Sequence, residues 1–316
     1  MKHNHTVGRL FIAALVSFAL PSFTLCAAPF AVGAKSCQEC HKAEFEVWEK
    51  TKHSTSFGTL HKHEKMKAII AAAGGDANIR RNATCLQCHY TMEQADAAAA
   101  PAAKSAVSCE SCHGASSEWI KVHNDYGGAG VTRESEPAAH KTERLAKSVA
   151  GGMTRPDSPY DLAANCLNCH SLARSGLDGA TIGKMLDAGH PINPDYELVK
   201  YSQGTVRHRF SPPDTTQNAA MTPAELARWF VTGRAAMLVT ATAALGKAEH
   251  AGYKDALQKQ IAAATTALNA VKSVPEAAAL VAGPNEANAR KLATAIAGKD
   301  LAGEVGSLLP KAADYK

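Results

Sequence analysis

Four short units of the sequence carry the same arrangement of sulfur and nitrogen ligands. In each unit two cysteines stand three positions apart, and a histidine follows the second cysteine directly. The units are Cys37, Cys40 and His41; Cys85, Cys88 and His89; Cys109, Cys112 and His113; and Cys166, Cys169 and His170. Thioether bonds from such a cysteine pair hold the two vinyl groups of a porphyrin, and the next residue is then placed to bind the iron. The units therefore predict four covalently attached haem c groups, with the histidines as proximal ligands.

Three other uses of paired cysteines compete with haem attachment. Structural zinc also takes paired cysteines, but it gives no reason for a histidine directly after every second cysteine. Redox disulfides fit an oxidising compartment, yet one such motif usually suffices. A plain disulfide framework is typical of short secreted chains, whereas this chain has 316 residues. Haem attachment is the interpretation that accounts for all four units.

Histidines outside these units decide whether each iron has a second protein ligand. His53 follows the first unit at the end of a pattern in which Phe45 and Trp48 lie one helical turn apart, which predicts a short helix that delivers the histidine. His123 lies ten residues after His113, with a tryptophan between them. His190 lies in the turn-rich stretch DAGHPINP. We expect these three histidines to be distal ligands.

His208 is the fourth candidate, and its two interpretations oppose each other. Arg207 and Arg209 flank it, and they could hold it beside haem propionates while Phe210 packs on the ring. In the alternative, the same residues form a basic surface strand. We favour ligation, which would give every iron two histidines. The remaining histidines are predicted to lie on the surface: His61, His63, His140 and His250.

Composition and charge limit the classes of protein that this chain can be. Aromatic residues make up only 6% of the sequence, which is little for a large core, so we expect the flat apolar faces of the haems to replace side chains there. The formal net charge is +5, but eight haem propionates would bring the balance below zero. The basic sequence therefore does not indicate a nucleic-acid partner.

The beginning of the sequence has the pattern of a secretory signal peptide. Lys2 and Arg9 precede an uncharged apolar stretch over residues 10–20, and small residues follow around Ala27. The stretch is well short of the roughly 20 residues that span a bilayer, and no later uncharged apolar run reaches that length, so no integral membrane segment is expected. A lipid on Cys26 is the weaker alternative, because a leucine precedes it where a small residue is expected. The predicted location is the periplasm.

The chain divides into three predicted parts: a signal peptide over residues 1–27, a tetrahaem cytochrome c domain over 28–215 and an Ala-rich helical appendage over 216–316. Within the second part, residues 95–106 are a low-complexity connector, and residues 127–159 are predicted to be a long surface connection. The appendage begins at a helix for which Thr222 is the N-cap, Pro223 the first residue and Glu225 the partner in a capping box. We expect three or four helical segments there, which either cover a haem face or dock a partner.

Several of these motifs together resemble the tetrahaem cytochrome c-554 family. They are the stretch CQECHKAEFEVWEKTKHS, the units CLQCH and CLNCH, and VSCESCHG with His123 ten residues after its own histidine. The resemblance covers roughly Cys37 to His208, but the loop that carries His190 and the C-terminal third have no counterpart in it. It implies a mainly helical fold with haems stacked in near-parallel pairs, His53 and His123 as distal ligands, and a five-coordinate iron at the second unit.

Two function classes remain open at this level. The first is a periplasmic electron carrier, in which closely spaced low-potential haems pass electrons between redox partner proteins. The sequence identifies neither these partners nor the oligomeric state of this chain. The second is a reductase of a small nitrogen or sulfur compound at one five-coordinate haem. No cluster of catalytic acids or bases stands out, so the carrier is favoured. The predicted fold is mainly α, with haems as the core and little β structure.

Overall fold

The computed structural model describes Met1 and residues 28–316, and the predicted signal peptide lies outside the described residues apart from Met1. The described part of the chain is mainly helical, as predicted. The first helices are α1 (Ala34–Gln38), α2 (Lys42–Glu49), α3 (Lys52–Thr59), α4 (Met66–Ala73), α5 (Ala83–His89) and α6 (Cys109–His113). The middle of the chain holds α7 (Ala138–Ala150), α8 (Pro159–His170), α9 (Gly179–Asp187) and α10 (Leu198–Ser202). The C-terminal helices are α11 (Pro223–Leu245), α12 (Ala251–Ala270), α13 (Pro275–Ala282), α14 (Glu286–Ala295) and α15 (Ala302–Val305).

A small antiparallel sheet pairs β1 (Thr91–Glu93) with β2 (Ala102–Ser105). It connects the second haem attachment unit to the third, and β2 lies inside the segment predicted to be a low-complexity connector. In the described part of the chain this is the extent of the regular β structure, apart from one isolated bridge between Ala31 and Glu93. The prediction of little β structure is confirmed.

The haem attachment units lie at the ends of short helices, and three of them end their helix at the histidine. Helices α5, α6 and α8 finish at His89, His113 and His170. Side-chain caps fix where two of these helices begin: the fully buried Asn82 accepts hydrogen bonds from the first turn of α5, and Ser108 forms a capping box with Ser111 at α6. A capped helix start sets the position of the cysteines that follow within one or two turns.

Two local predictions differ from the structure. The segment predicted to deliver His53 on one helix forms two, because the chain leaves the helical path at Lys50 and Thr51 then caps α3 by accepting from the Ser54 amide. The segment predicted to be a long surface connection contains α7, a helix of 13 residues. Arg144 of this helix forms a buried ion pair with Glu136, which precedes the helix.

The predicted capping box at the start of α11 is present in the structure. Thr222 accepts from the Glu225 amide at 3.3 Å and its own amide donates to the Glu225 carboxylate at 2.8 Å, so both halves of the capping box are present. Pro223 occupies the first helical turn. The described chain then forms five helices rather than three or four.

The largest apolar core joins the C-terminal helices to the fourth haem attachment unit. Phe230 of α11 and Leu280 of α13 are 1% exposed or less, and they belong to one buried cluster with Leu167 of α8 and Leu198 of α10. The predicted boundary between residues 215 and 216 therefore crosses a shared core. No described helix is long and apolar enough to cross a membrane.

Candidate functional site

The structure brings each of the four unit histidines opposite a different one of the four predicted distal histidines. The imidazole ring centroids lie 6.1 to 6.3 Å apart in every case. The pairs are His41 with His123 at 6.3 Å, His53 with His170 at 6.1 Å, His89 with His190 at 6.1 Å, and His113 with His208 at 6.3 Å. The four pairs use eight different histidines and leave none of the predicted ligands over.

This separation fits a metal ion between the two rings. Two metal–nitrogen bonds of about 2 Å, together with about 1 Å from each nitrogen to its ring centre, give roughly 6 Å between centroids. Because aromatic rings in direct contact lie about 4.5 to 7 Å apart, the distance gains its meaning from its recurrence at the predicted ligands. The same distance recurs at four places in the chain, so it reflects a common geometry rather than chance packing.

Hydrogen bonds fix which ring nitrogen faces the gap in four of these histidines. In His113, His123, His190 and His208 the Nδ1 atom lies 2.7 to 3.0 Å from a backbone carbonyl oxygen. A carbonyl only accepts, so Nδ1 carries the proton and Nε2 is left with a free lone pair. A donated Nδ1–H is the usual way in which proteins orient a metal-binding imidazole.

Burial keeps most of these imidazoles neutral. It lowers the pKa of His89 and of His170 to about 4, and it also lowers the pKa of His53, His113, His123 and His190. Because only a neutral imidazole can bind a metal, these rings are ready to act as ligands at neutral pH.

The histidines predicted to lie on the surface have other surroundings. His61 and His63 are exposed. His140 bonds the Glu136 carboxylate at 2.7 Å, while His250 caps α12 and contacts Asp187 at 3.2 Å.

Structural zinc would need three or four ligands around one point, and among residues 28–316 no group of three or more His, Cys, Asp or Glu side chains is placed to hold an ion. None of the eight unit cysteines is paired in a disulfide.

Cysteines of different units touch one another and give the order of the units in space. Cys37 of the first unit lies beside Cys109 of the third, and Cys88 of the second lies beside Cys169 of the fourth, close enough for each thiol to shift the pKa of its neighbour. The third and fourth units are linked by the Asn165 amide of α8, which donates to the Ser111 carbonyl at 2.5 Å. The units therefore lie in the spatial order first, third, fourth, second.

Buried arginine nitrogens near the units have no partner in the described chain. They are Nε of Arg174, Arg207 and Arg234, and Nη1 of Arg209. Buried guanidinium groups are almost always hydrogen-bonded, so these atoms call for acceptors that the polypeptide does not supply. Haem propionates are carboxylates of the right kind. The donor set of cysteines, paired histidines and arginine nitrogens without an acceptor thus fits haem c.

Sequence reasoning missed two features of the site. Tyr196 stacks on His170 with 4.6 Å between ring centroids and an angle of 19°, and Tyr201 stacks on Tyr196 at 4.9 Å. Glu110, between the two cysteines of the third unit, is buried and accepts from the amides of Val32 and Gly33 at 2.9 and 2.7 Å. Two signals for these features were available in the sequence. Glu110 is a charged residue inside a haem attachment unit, and Tyr196 and Tyr201 are the two aromatic residues of the stretch YELVKY.

The pairing of histidines also differs from what their sequence positions suggest. His123 follows the third unit closely, but it faces His41 of the first. His53 follows the first unit, but it faces His170 of the fourth. At the second unit the resemblance implied a five-coordinate iron, whereas the structure places His190 opposite His89. The loop that supplies His190 has no counterpart in the resemblance.

A mainly helical chain with CxxCH units and facing histidines has the residue types with which c-type cytochromes hold covalently bound haem c. Comparison with known proteins agrees. Residues 36–114 match the family model described as cytochrome c554 and c-prime. The chain is 28% identical over 153 residues to cytochrome c-554 of Nitrosomonas europaea, a match that covers 45% of this chain and 58% of that protein. Over part of its length the chain is therefore similar to the cytochrome c-554 family. No solved structure matches it.

Proposed function

We propose that this chain is a periplasmic tetrahaem cytochrome in which every iron is held by two histidines, and that it passes electrons between redox partner proteins without catalysing a reaction of its own. The observation that supports this proposal most directly is the set of four histidine pairs at 6.1 to 6.3 Å. Each pair joins one CxxCH histidine to one histidine from elsewhere in the chain.

In this proposal the cysteines Cys37, Cys40, Cys85, Cys88, Cys109, Cys112, Cys166 and Cys169 form the thioether bonds. The bound haem supplies a reversible one-electron iron couple. The polypeptide fixes the ligand rings, excludes water and supplies cations. Two histidines hold an iron at lower potential than a methionine and a histidine do, so the proposed carrier works at low potential.

The contacts between units support a continuous path for electrons. Cysteine contacts link the first unit to the third and the second to the fourth, and the Asn165 bond links the third to the fourth. The first and second units therefore form the two ends of the path. We propose that partner proteins deliver and remove electrons at these ends.

The alternative function, a reductase, requires one iron with an open position. Such an enzyme would leave one CxxCH histidine without a facing histidine. Each of the four CxxCH histidines has a facing histidine, and His190 faces His89 of the second unit, where the resemblance implied the open iron. The geometry thus favours a carrier.

Mass spectrometry of the denatured protein tests the number of haems. We expect the mass of the exported chain plus four haems, with no free thiol among the eight unit cysteines. A mass with fewer than four haems, or with zinc in place of any of them, would contradict the proposal. An amino terminus of the isolated protein near Ala28 would support export through the predicted signal peptide.

A further inference from the structure

We propose that Gln260, on the C-terminal helix α12, is a positioning residue that holds His170 and His190, the axial ligands of two different haems. The inference rests on the proposed function, because it takes these two histidines to be ligands. It gives the C-terminal helices a role beyond covering a haem face or docking a partner: they keep the second and fourth irons six-coordinate.

One fully buried side chain forms the bridge. Gln260 is 0% exposed, and its two amide atoms bond two separate segments. The Ser171 hydroxyl, directly after His170, donates to Gln260 Oε1 at 3.0 Å. Gln260 Nε2 donates to the carbonyl of Asn193, three residues after His190, at 3.2 Å. Both polar ends of the buried amide are therefore used, as burial demands.

A second residue of α12 holds the same chain exit from the fourth unit. The Tyr253 hydroxyl, also 0% exposed, lies 2.8 Å from the Ser171 carbonyl and 3.0 Å from the Leu172 carbonyl. Leu172 has a φ of 53°, a left-handed conformation that leucine rarely adopts and that surrounding contacts must hold. Helix α12 thus fixes the turn that immediately follows a proximal histidine.

The loop that carries His190 has no regular secondary structure between the end of α9 and the start of α10. The His190 backbone amide donates to the Met185 carbonyl at 2.9 Å, and the Asn193 side-chain amide donates to the Tyr201 hydroxyl at 2.7 Å. Ile192 of the loop packs against the buried cluster that includes Tyr253 of α12. The bond from Gln260 adds a directional polar contact between α12 and the loop backbone at Asn193, whose carbonyl also accepts from the Tyr196 amide at 3.3 Å. Without the bond from Gln260, that contact is lost and the position of the loop relative to α12 is held by apolar packing.

The variant Gln260→Leu removes both hydrogen bonds while keeping a side chain of similar bulk. We expect the full complement of covalent haem, together with a new high-spin fraction at the second unit, because His190 is released. Carbon monoxide added to the reduced variant should bind at up to one haem in four, whereas the wild type should bind none. Ser171→Ala, which removes only one bond of the bridge and little volume, should perturb the spectrum of the fourth haem.

Two control variants on the same helix separate positioning from loss of stability. Gln258→Leu makes the same substitution at an exposed residue. Leu268→Ala destabilises the core through a buried residue that is 1% exposed and far along α12 from the bridge. Both controls should keep the wild-type spin state.

The outcomes distinguish this inference from the function on which it rests. Wild-type spectra and no carbon monoxide binding in both Gln260→Leu and Ser171→Ala would overturn the inference and leave the proposed function standing. The same would follow if Leu268→Ala gave the same high-spin fraction as Gln260→Leu. A wild-type protein that already contains one high-spin haem would contradict the proposed function itself, and the inference would fall with it.

Discussion

At the scale of single residues, the distal histidine with the most contested role is His208. The His208 ring faces the His113 ring at 6.3 Å, and its Nδ1 atom donates to the Val206 carbonyl at 2.7 Å. His208 is nevertheless solvent-exposed in the folded chain. We expect His208→Ala to convert one haem in four to high spin, because the third unit loses its second imidazole, while covalent haem content stays unchanged.

Magnetic and visible spectra of the ferric protein measure this change. His63→Ala is the matched control, since His63 is an exposed histidine with no role in the proposed ligand set. A His208→Ala spectrum identical to the wild type would show that His208 is a surface residue and not a ligand.

A buried ion pair beside His123 gives a prediction about pH. Arg144 bonds the Glu136 carboxylate and the backbone carbonyl of His123, and the Arg144 guanidinium lowers the pKa of Glu136 to about 2, with His140 as a further contributor. Because the pKa is lower in the folded protein than in the unfolded one, Glu136 stabilises the fold above pH ~4.5. This stabilisation is lost as the pH falls towards 2.

We therefore expect acid titration between pH 4.5 and 2 to release His123 and to turn the haem of the first unit high-spin. In Glu136→Gln the stabilisation is missing at neutral pH as well, so the thermal midpoint should be lower there and should change less over this pH range. A variant whose stability depends on pH as steeply as that of the wild type would exclude Glu136 as the cause.

At the scale of helices, the N-cap of α5 positions the second haem attachment unit. Asn82 is fully buried, accepts from the amides of Thr84 and Cys85, and donates to the carbonyls of Gly74 and Asp76. Asn82→Ala leaves these buried groups without partners, so we expect a loss of about 2–4 kcal/mol in the free energy of unfolding.

Denaturant unfolding measures this loss, with Thr222→Ala as the comparison. Thr222 caps α11 at an exposed position, where the loss of a cap costs about 1 kcal/mol. An equal effect of the two variants would mean that the buried bonds of Asn82 add nothing to its capping role.

The helices also show how far sequence reasoning reached. The start of α11 followed from Thr222, Pro223 and Glu225 because a capping box is a local signal. Helix α7 was missed because residues 127–159 were interpreted as a connection from their content of Gly, Pro, Lys and Glu, although residues 138–150 carry a helical apolar period. The contact of Arg144 with Glu136, eight residues apart, is a further feature that local patterns do not show.

The same limit holds for the candidate site. The attachment units and the four facing histidines could be chosen from residue types and spacing. Their pairing could not be predicted, because His53 of α3 and His170 at the end of α8 are far apart in sequence and face each other only in the folded chain. Tyr196 on His170 and Gln260 behind Ser171 were missed for the same reason. Long-range contacts form only in the folded chain.

At the scale of the whole molecule, the predicted boundary between residues 215 and 216 is best tested by truncation. Leu167 and Ala163 of α8 are 0% exposed because α11 and α14 pack on them. A chain that ends at Asn218 loses these partners and both polar contacts of α12 with the fourth unit. We expect it to carry fewer than four haems or to be degraded.

The measurement is haem content per chain after purification, beside the full-length protein. Four haems with wild-type spectra in the truncated chain would show that residues 28–215 form an autonomous haem domain. In that case the shared core would be dispensable for the haem attachment units, and the C-terminal helices would have to serve a partner instead.

The central claim is that every iron in this chain has two histidine ligands, and quantitative electron paramagnetic resonance of the fully oxidised wild-type protein tests it most directly. Integration against a haem determination counts the low-spin and high-spin irons in one experiment. The histidine pairs at 6.1 to 6.3 Å predict four low-spin haems per chain and no high-spin signal. A high-spin signal that integrates to about one haem in four would contradict the account, and it would place an open iron where a small molecule could react.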